Sequence, residues 1–245
     1  MAKTRADQAL VQRGLVESRA KAQALIMAGK VFSGERRVEK AGAPLAEEAP
    51  LEVRGQDHPW VGRGGLKLDH AIRHFGLDAT GRVCIDVGAS TGGFTDVLLA
   101  HGAARVYAVD VGRGQLAWRL RTDARVVTLD GVNARHLTEA QVPEPVDAIV
   151  CDASFIGLTT VLARPLEFAR AGAWLAALIK PQFEAGRANV GKNGVVRDPA
   201  IRQACVDRVV DWLANGVGWR VDGVTESPIT GAEGNVEFLV AAQKV

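Results

Sequence analysis

The stretch Ile85-Asp86-Val87-Gly88-Ala89-Ser90-Thr91-Gly92-Gly93-Phe94-Thr95 decides the fold. An apolar run ends on an acidic residue, a glycine-rich turn follows, and a helix-forming segment opens. Glycines let the chain turn tightly and let a ligand approach the backbone. The dinucleotide pattern GxGxxG fails, because Ser90 stands at its second glycine position. The phosphate-loop pattern fails too, since no Lys-Ser or Lys-Thr pair follows a glycine here. No pyrophosphate cradle is specified. Asp86 at the strand end suits a cationic ligand instead, such as the sulfonium and amino group of S-adenosylmethionine. Gly88, Ser90, Gly92, Gly93 and Phe94 are the candidate contacts in this loop.

Outward from the loop, apolar runs alternate with helix-length segments. Strand candidates are Val83–Val87, Arg105–Val109, Arg125–Leu129, Ala148–Cys151 and Trp174–Ile179. The alternation predicts parallel βαβ units with helices on both faces. Trp219–Thr225 and Val236–Ala241 follow each other closely and predict an antiparallel pair ending the sheet. The expected fold is α/β: a class I, Rossmann-like methyltransferase with a seven-stranded, mostly parallel sheet. The second strand is followed by Asp110 and Val111; an acidic residue about 20 positions past the glycine loop commonly binds ribose hydroxyls. The third is followed by Asp130 and Gly131, where the carboxylate could bind an adenine amino group. A single such aspartate reads equally well as a turn residue. Three at successive carboxyl edges mark the ligand edge of an open α/β sheet.

Composition bounds the alternatives. Of 245 residues, 47% are hydrophobic and 24% charged, as in soluble globular proteins. Apolar runs such as Ala173–Ile179 are too short to span a bilayer, and no signal-peptide core follows the basic N-terminus. A cytoplasmic location is expected. Cys84, Cys151 and Cys205 are far apart and form no CxxC spacing, so they read as buried reduced thiols and no metal site is expected.

Net charge is only +2, yet residues 1–40 hold nine Lys/Arg against four Asp/Glu. Such a local excess suits a polyanion. Leu10 and Val11 lie on one apolar helix face, and Gly14 suits its stop. Ser18 reads as the N-cap of a second helix with Ala22, Leu25 and Ile26 inward. Arg19 and Lys21 in its first turn oppose the helix dipole, so phosphate binding explains them better than stability. Strand-like pieces follow at Lys30–Ser33 and Leu51–Arg54. This helix–turn–helix with a small β layer, from Arg5 through Ser18-Arg19 to Gly29-Lys30-Val31, resembles the S4 domain, an RNA-binding module. The resulting division is an α+β S4-like module over 1–54, a linker over 55–62 and the methyltransferase domain over 63–245. Trp60 in the linker is expected to pack.

Four further charges sit where charges are rarely buried unless paired. Lys67 lies in Gly62-Arg63-Gly64-Gly65-Leu66-Lys67-Leu68. Asp152 ends the fourth strand, Lys180 ends the fifth, and Glu237 opens the last between Val236 and Phe238. If that last strand is antiparallel, all four converge. A buried salt-bridge network alone is a weak stabiliser, because desolvation offsets most of the Coulomb gain.

The Lys–Asp–Lys–Glu set resembles the tetrad of FtsJ/RrmJ-type ribose 2′-O-methyltransferases. With the S4-like module, the Gly-Arg-Gly-Gly-x-Lys-Leu segment and the Lys180-Pro-Gln-Phe-Glu…Gly191-Lys-Asn-Gly-Val-Val-Arg-Asp198 loop, the chain resembles the TlyA (haemolysin A) family nearly end to end. Gly62 and Asn193 depart from the pattern, standing where serine and glycine are common. The resemblance implies 2′-O-methylation of cytidine ribose in ribosomal RNA within ribosomal subunits, with S-adenosylmethionine as cofactor. The short termini favour the large subunit, with the small subunit a second candidate. It implies that Lys180 accepts the hydroxyl proton or stabilises the alkoxide, with Asp152 and Glu237 orienting the lysines. Asp152 also borders the cofactor. Arg5, Arg19, Lys21, Lys30, Arg63, Arg187, Lys192 and Arg197 are the candidate RNA contacts. The competing readings are a membrane-active haemolysin, which needs an apolar element absent from the sequence, a small-molecule methyltransferase, and a non-catalytic RNA-binding or ribosome-assembly protein.

Overall fold

The computed structural model describes residues 3–16, 18–46, 48–54 and 58–245, so residues 55–57 of the expected linker lie outside the described residues. The N-terminal part runs β1 (Lys3–Arg5), α1 (Ala6–Gln12), α2 (Arg19–Met27), β2 (Val31–Ser33), β3 (Arg36–Arg37), β4 (Pro44–Ala46) and β5 (Glu52–Val53). Ser18 caps α2, accepting the Lys21 N–H at 3.2 Å. Ala22 and Ile26 are buried with Ala6, Leu10, Val16, Val31 and Val38 in a separate small core. The strands form two sheets, β1–β4 and β3-β2-β5. The β1–β4 pair has no counterpart in the sequence reading, because three mostly polar residues carry no period-2 signal.

Asp7 corrects the argument made for the basic first turn of α2. It is fully buried. Its carboxylate takes the Arg5 and Arg19 guanidinium groups, both at 3.0 Å, and the Gln23 amide at 3.1 Å. The Arg5 hydrogen bond first, and the other donors after it, hold the Asp7 carboxyl well below the usual carboxylate range against the opposing effect of burial. Arg19 therefore has a structural partner that outweighs its unfavourable place in the helix dipole.

The larger part begins with α3 (Gly65–Phe75) and continues through β6 (Val83–Val87), α4 (Gly93–Ala100), β7 (Arg105–Asp110), α5 (Trp118–Arg121) and β8 (Val126–Asp130). Then come β9 (Val146–Cys151), α6 (Leu158–Val161), β10 (Ala169–Ile179), α7 (Pro181–Glu184), α8 (Pro199–Asp211), β11 (Trp219–Glu226) and β12 (Phe238–Lys244). Seven strands pair in the order β11-β12-β10-β9-β6-β7-β8. Apolar clusters cover both faces, around Ile85, Ile149 and Leu175 on one and Leu98, Val150 and Leu178 on the other. Trp60 and Val61 pack against the second cluster, the job expected of Trp60. Cys84, Cys151 and Cys205 are free and buried.

Trp219–Glu226 and Phe238–Lys244 form the expected antiparallel pair at one end of the sheet. Within the pair only β12 is reversed relative to the other strands; it lies between β10 and β11, and β11 is the edge. Composition explains this. Phe238-Leu-Val-Ala-Ala is apolar on both faces and fits an interior position. Trp219-Arg-Val-Asp-Gly-Val-Thr-Glu alternates and carries charge, as suits an edge.

Candidate active site

The sheet order reverses between β6 and β9, and ligands bind outside the carboxyl ends of strands at such a point. Gly88 follows β6 there with φ +83°. A Cβ on it would lie 2.9 Å from the Ala153 Cα, so the two strand ends close together only around a glycine. A cavity of about 810 Å³ opens at this edge. It is lined by the glycine loop, by Lys67, Asp152, Lys180 and Glu237, and by Val11 and Val16 of the N-terminal part.

Register puts the four charges together. In the β10–β12 ladder Ile179 faces Phe238. One step further, Lys180 and Glu237 flank the ladder's end; Glu237 thus lies just before β12 rather than within it. Lys67 Nζ lies 2.7 Å from Glu237 Oε2 and 3.9 Å from Asp152 Oδ2. Lys180 Nζ lies 2.6 Å from Asp152 Oδ1, 2.9 Å from Ser154 Oγ and 3.2 Å from the Asp152 carbonyl oxygen. The order is a chain of alternating sign: Glu237, Lys67, Asp152, Lys180. Both lysines are only 7% exposed and Glu237 is 2% exposed. Alternation of sign at ion-pair distance is what lets such charges be buried together.

Three neutral or aromatic residues join them that the sequence reading did not single out. Gln182 donates its amide to Glu237 Oε1 at 3.1 Å. Asn235 is buried; its Oδ1 accepts the Val196 N–H, and its Nδ2 donates to the Gly194 carbonyl. It ties the basic loop to the Glu237 segment. Phe155 is 90% exposed, holds φ +65°, and meets the Phe183 ring with centroids 5.1 Å apart. An exposed aromatic in a left-handed backbone three residues after Asp152 is conspicuous, since both features cost stability.

The candidate cofactor residues divide into two groups. Gly88, Ser90, Gly93, Phe94 and Asp152 line the cavity. Gly92 caps α4 with φ +97°. Asp110 accepts the Ser90 and Gly112 N–H groups at 2.8 and 2.7 Å, so it braces the loop from beside it. Asp130 accepts the Gly114 N–H at 2.9 Å, next to Gly131, and Val111 is exposed. Asp86 differs from its expected role. It lies fully buried beneath the loop, away from the cavity lining, and accepts the Thr95 hydroxyl at 2.7 Å. Its second oxygen has no partner. Burial pushes the Asp86 carboxyl up to about 7, against the Thr95 hydrogen bond.

That shift has a sign. A carboxyl with a raised folded-state pKa binds its proton more readily when folded. Its contribution is present below the unfolded value and is lost as pH rises from there toward 7. Asp86→Asn keeps an acceptor for Thr95 and removes the buried charge. The variant is expected to melt above the parent at about pH 8, with the gap closing toward about pH 4. Calorimetry across that range measures it; a constant gap would assign the effect to packing.

Among the RNA candidates, Arg5 and Arg19 are committed to Asp7 as described. Lys21, Lys30 and Arg63 are exposed, and Arg63 also reaches the Thr230 carbonyl at 3.4 Å. Arg187, Lys192 and Arg197 are exposed along two short 3-10 turns after α7. Asn193 there takes φ +64°, the conformation glycine adopts freely. No group of three or more His, Cys, Asp or Glu side chains gathers as for a metal among the described residues.

The reversed strand, the switch-point glycine loop and the cavity define a class I, Rossmann-like methyltransferase. A family model described as FtsJ-like methyltransferase matches residues 60–244, and an S4 domain model matches residues 4–49. The chain belongs to the FtsJ-like methyltransferase family and carries an S4 domain at its N-terminal end. Its relatives include the Mycobacterium tuberculosis protein named 16S/23S rRNA (cytidine-2′-O)-methyltransferase TlyA, 47% identical over 97% of this chain and 89% of that one. The Bacillus subtilis protein YqxC is 45% identical over 97% of this chain and 85% of its own. A solved Streptococcus thermophilus protein bearing a hemolysin name superposes with a TM-score of 0.76 at 40% identity, covering 100% of this chain and 90% of that one.

Proposed function

We propose that this chain transfers a methyl group from S-adenosylmethionine to the ribose 2′-hydroxyl of cytidine in ribosomal RNA, within ribosomal subunits of the cytoplasm. The observation that carries the reading is the alternating Glu237–Lys67–Asp152–Lys180 chain beside the glycine loop. The relatives' rRNA (cytidine-2′-O)-methyltransferase name supplies the nucleotide and the RNA class. Residues 1–54 serve as the RNA-binding module, 55–62 as linker and 63–245 as the catalytic domain. No helix among the described residues is long and apolar enough to cross a membrane, so nothing there supports the membrane-active alternative.

The site fits a cationic nucleoside. A cavity of about 810 Å³ suits a ligand of that size. The unpartnered Asp86 oxygen lies beneath the loop, and a nearby cation would favour its charged form. Gly88, Ser90, Gly93 and Phe94 would hold the ligand, with Asp110 and Asp130 fixing the loops at its ribose and adenine ends. When bound, S-adenosylmethionine supplies an electrophilic methyl group on positively charged sulfur.

The chain's residues do the rest. A ribose hydroxyl is a poor nucleophile at neutral pH and needs its proton removed or its oxyanion stabilised. Lys180 Nζ takes that proton or faces the oxyanion. Asp152 and Ser154 hold the amine in place at the cavity wall. Lys67 adds positive potential, itself fixed by Glu237. Holding the hydroxyl in line with the methyl group supplies much of the rate. Phe155, exposed beside Asp152, offers a face on which a base can stack.

Two experiments test the reading. The first incubates the protein and cofactor with unmodified ribosomal subunits and maps 2′-O-methylation on both RNAs. Methylated bases with untouched riboses would overturn it. The second uses Phe155→Ala, expected to lower kcat/KM for RNA roughly 10- to 100-fold through loss of one stacking contact. Cofactor affinity by calorimetry should stay at the parent value; a loss there would make Phe155 a cofactor residue instead.

A further inference from the structure

Glu237 is a buried carboxylate with one donor on each oxygen. Oε2 takes Lys67 at 2.7 Å, and Oε1 takes the Gln182 amide at 3.1 Å. A carboxylate only accepts, so the NH2 side of Gln182 must face it. The amide oxygen is thereby turned into a buried place with no partner. An unsatisfied buried acceptor costs stability, and packing gives no reason to keep it. Gln182 sits two residues after Lys180, on α7, so it links the Lys180 segment to the Glu237 segment.

Asp152 is the contested group. It lies 2.6 Å from Lys180 and 3.9 Å from Lys67. The other charged side chains on this cavity are Arg63 and Glu233. If Lys67 lost Glu237, Asp152 would be the carboxylate next to it. Lys180 would then share its partner.

We propose that Gln182 is a positioning residue that fixes Glu237 against Lys67 and so reserves Asp152 for Lys180; as a statement about turnover it rests on the methyl-transfer reading of the site. Without the amide donor the Glu237 side chain is held by Lys67 alone and is free to turn from it. A Glu237 that turns away releases Lys67 to Asp152.

The test uses the full chain with Gln182→Leu and Gln182→Glu. For Gln182→Leu, kcat on ribosomal RNA falls about 10- to 100-fold, while KM for RNA and cofactor stays within about 3-fold. For Gln182→Glu the introduced carboxyl repels Glu237 when ionised and donates an O–H to it when protonated. Its deficit therefore shrinks as pH falls, a rescue that a merely structural role does not give. A readout independent of turnover is the 13Cε NMR titration of Lys67 and Lys180 in the unliganded protein, where both curves shift in Gln182→Leu. Shifted lysine curves in a protein whose wild type methylates no RNA would sink the functional reading and leave the positioning intact. Unshifted curves with parental pH profiles overturn the proposal. If Gln182→Leu does not fold, Gln182→Glu decides, and its failure to recover at low pH counts against it.

Discussion

Lys180→Ala is expected to lower kcat for methyl transfer by about 10³-fold, the range lost with a general base, while RNA affinity stays near the parental value. Lys180 is the point where three acceptors converge, Asp152 Oδ1, the Asp152 carbonyl and Ser154 Oγ. Removing it empties that position and leaves Lys67, 3.9 Å away, as the remaining cation for Asp152. Lys180→Arg separates two roles of the side chain. Arginine keeps the charge but does not release a proton in proteins. If Lys180 acts as a base, the arginine variant is as inactive as the alanine one. If it only stabilises the oxyanion, arginine restores a measurable part of kcat. Single-turnover rates on ribosomal subunits, with RNA binding measured by filter retention, check this. An alanine variant within about 10-fold of the parent would remove Lys180 from the chemistry.

Asp7→Ala is expected to unfold the N-terminal module alone. Taking one partner from a buried ion-pair network costs about 3–5 kcal/mol. A module of this size has a total stability of comparable magnitude, at roughly 0.05–0.15 kcal/mol per residue. Its core is a handful of small side chains around Leu10, Ile26 and Val31, so little else compensates. Hydrogen exchange should show protection lost over residues 3–54 and kept in the seven-stranded sheet, with RNA affinity falling in parallel. Acid does the same to the parent protein. The depressed Asp7 carboxyl contributes stability above its unfolded value, and that contribution is lost as pH falls below about 4 through the folded value. The module should therefore melt first on acidification. Retained protection in the variant would mean that Arg5 and Arg19 serve RNA rather than the fold.

What the sequence discloses depends on contrast. Lys180 after Leu175-Ala-Ala-Leu-Ile, and Glu237 between Val236 and Phe238, stand out because a charge interrupts an apolar run. The glycine loop stands out because its spacing excludes two other ligand patterns. Gln182, Ser154 and Asn235 create no such contrast, since neutral polar residues are ordinary in loops; only their partners reveal them. Asp7 is not marked in the sequence, because burial of a single charge leaves no periodic trace. Phe155 is not marked either, because an aromatic beside a strand end does not disclose that the chain leaves it outside. The position of β12 within the sheet is hidden because hydrophobic pattern gives strands but not neighbours. The apolar run Phe238-Leu-Val-Ala-Ala, set against the charged Trp219–Glu226, tells which member of the terminal pair lies inside.

The Ile179–Phe238 rung has an evolutionary consequence. Glu237 reaches its partners because it is the next residue on a strand whose numbering is locked to β10. Deleting one residue inside β12 would draw the chain through by one position and flip its faces, placing Val236 beside Lys67. The same deletion between residues 227 and 234 leaves the pairing untouched. Length variation among descendants of this gene should therefore collect in that connection and be purged from the strand beside it, a boundary only a few residues wide.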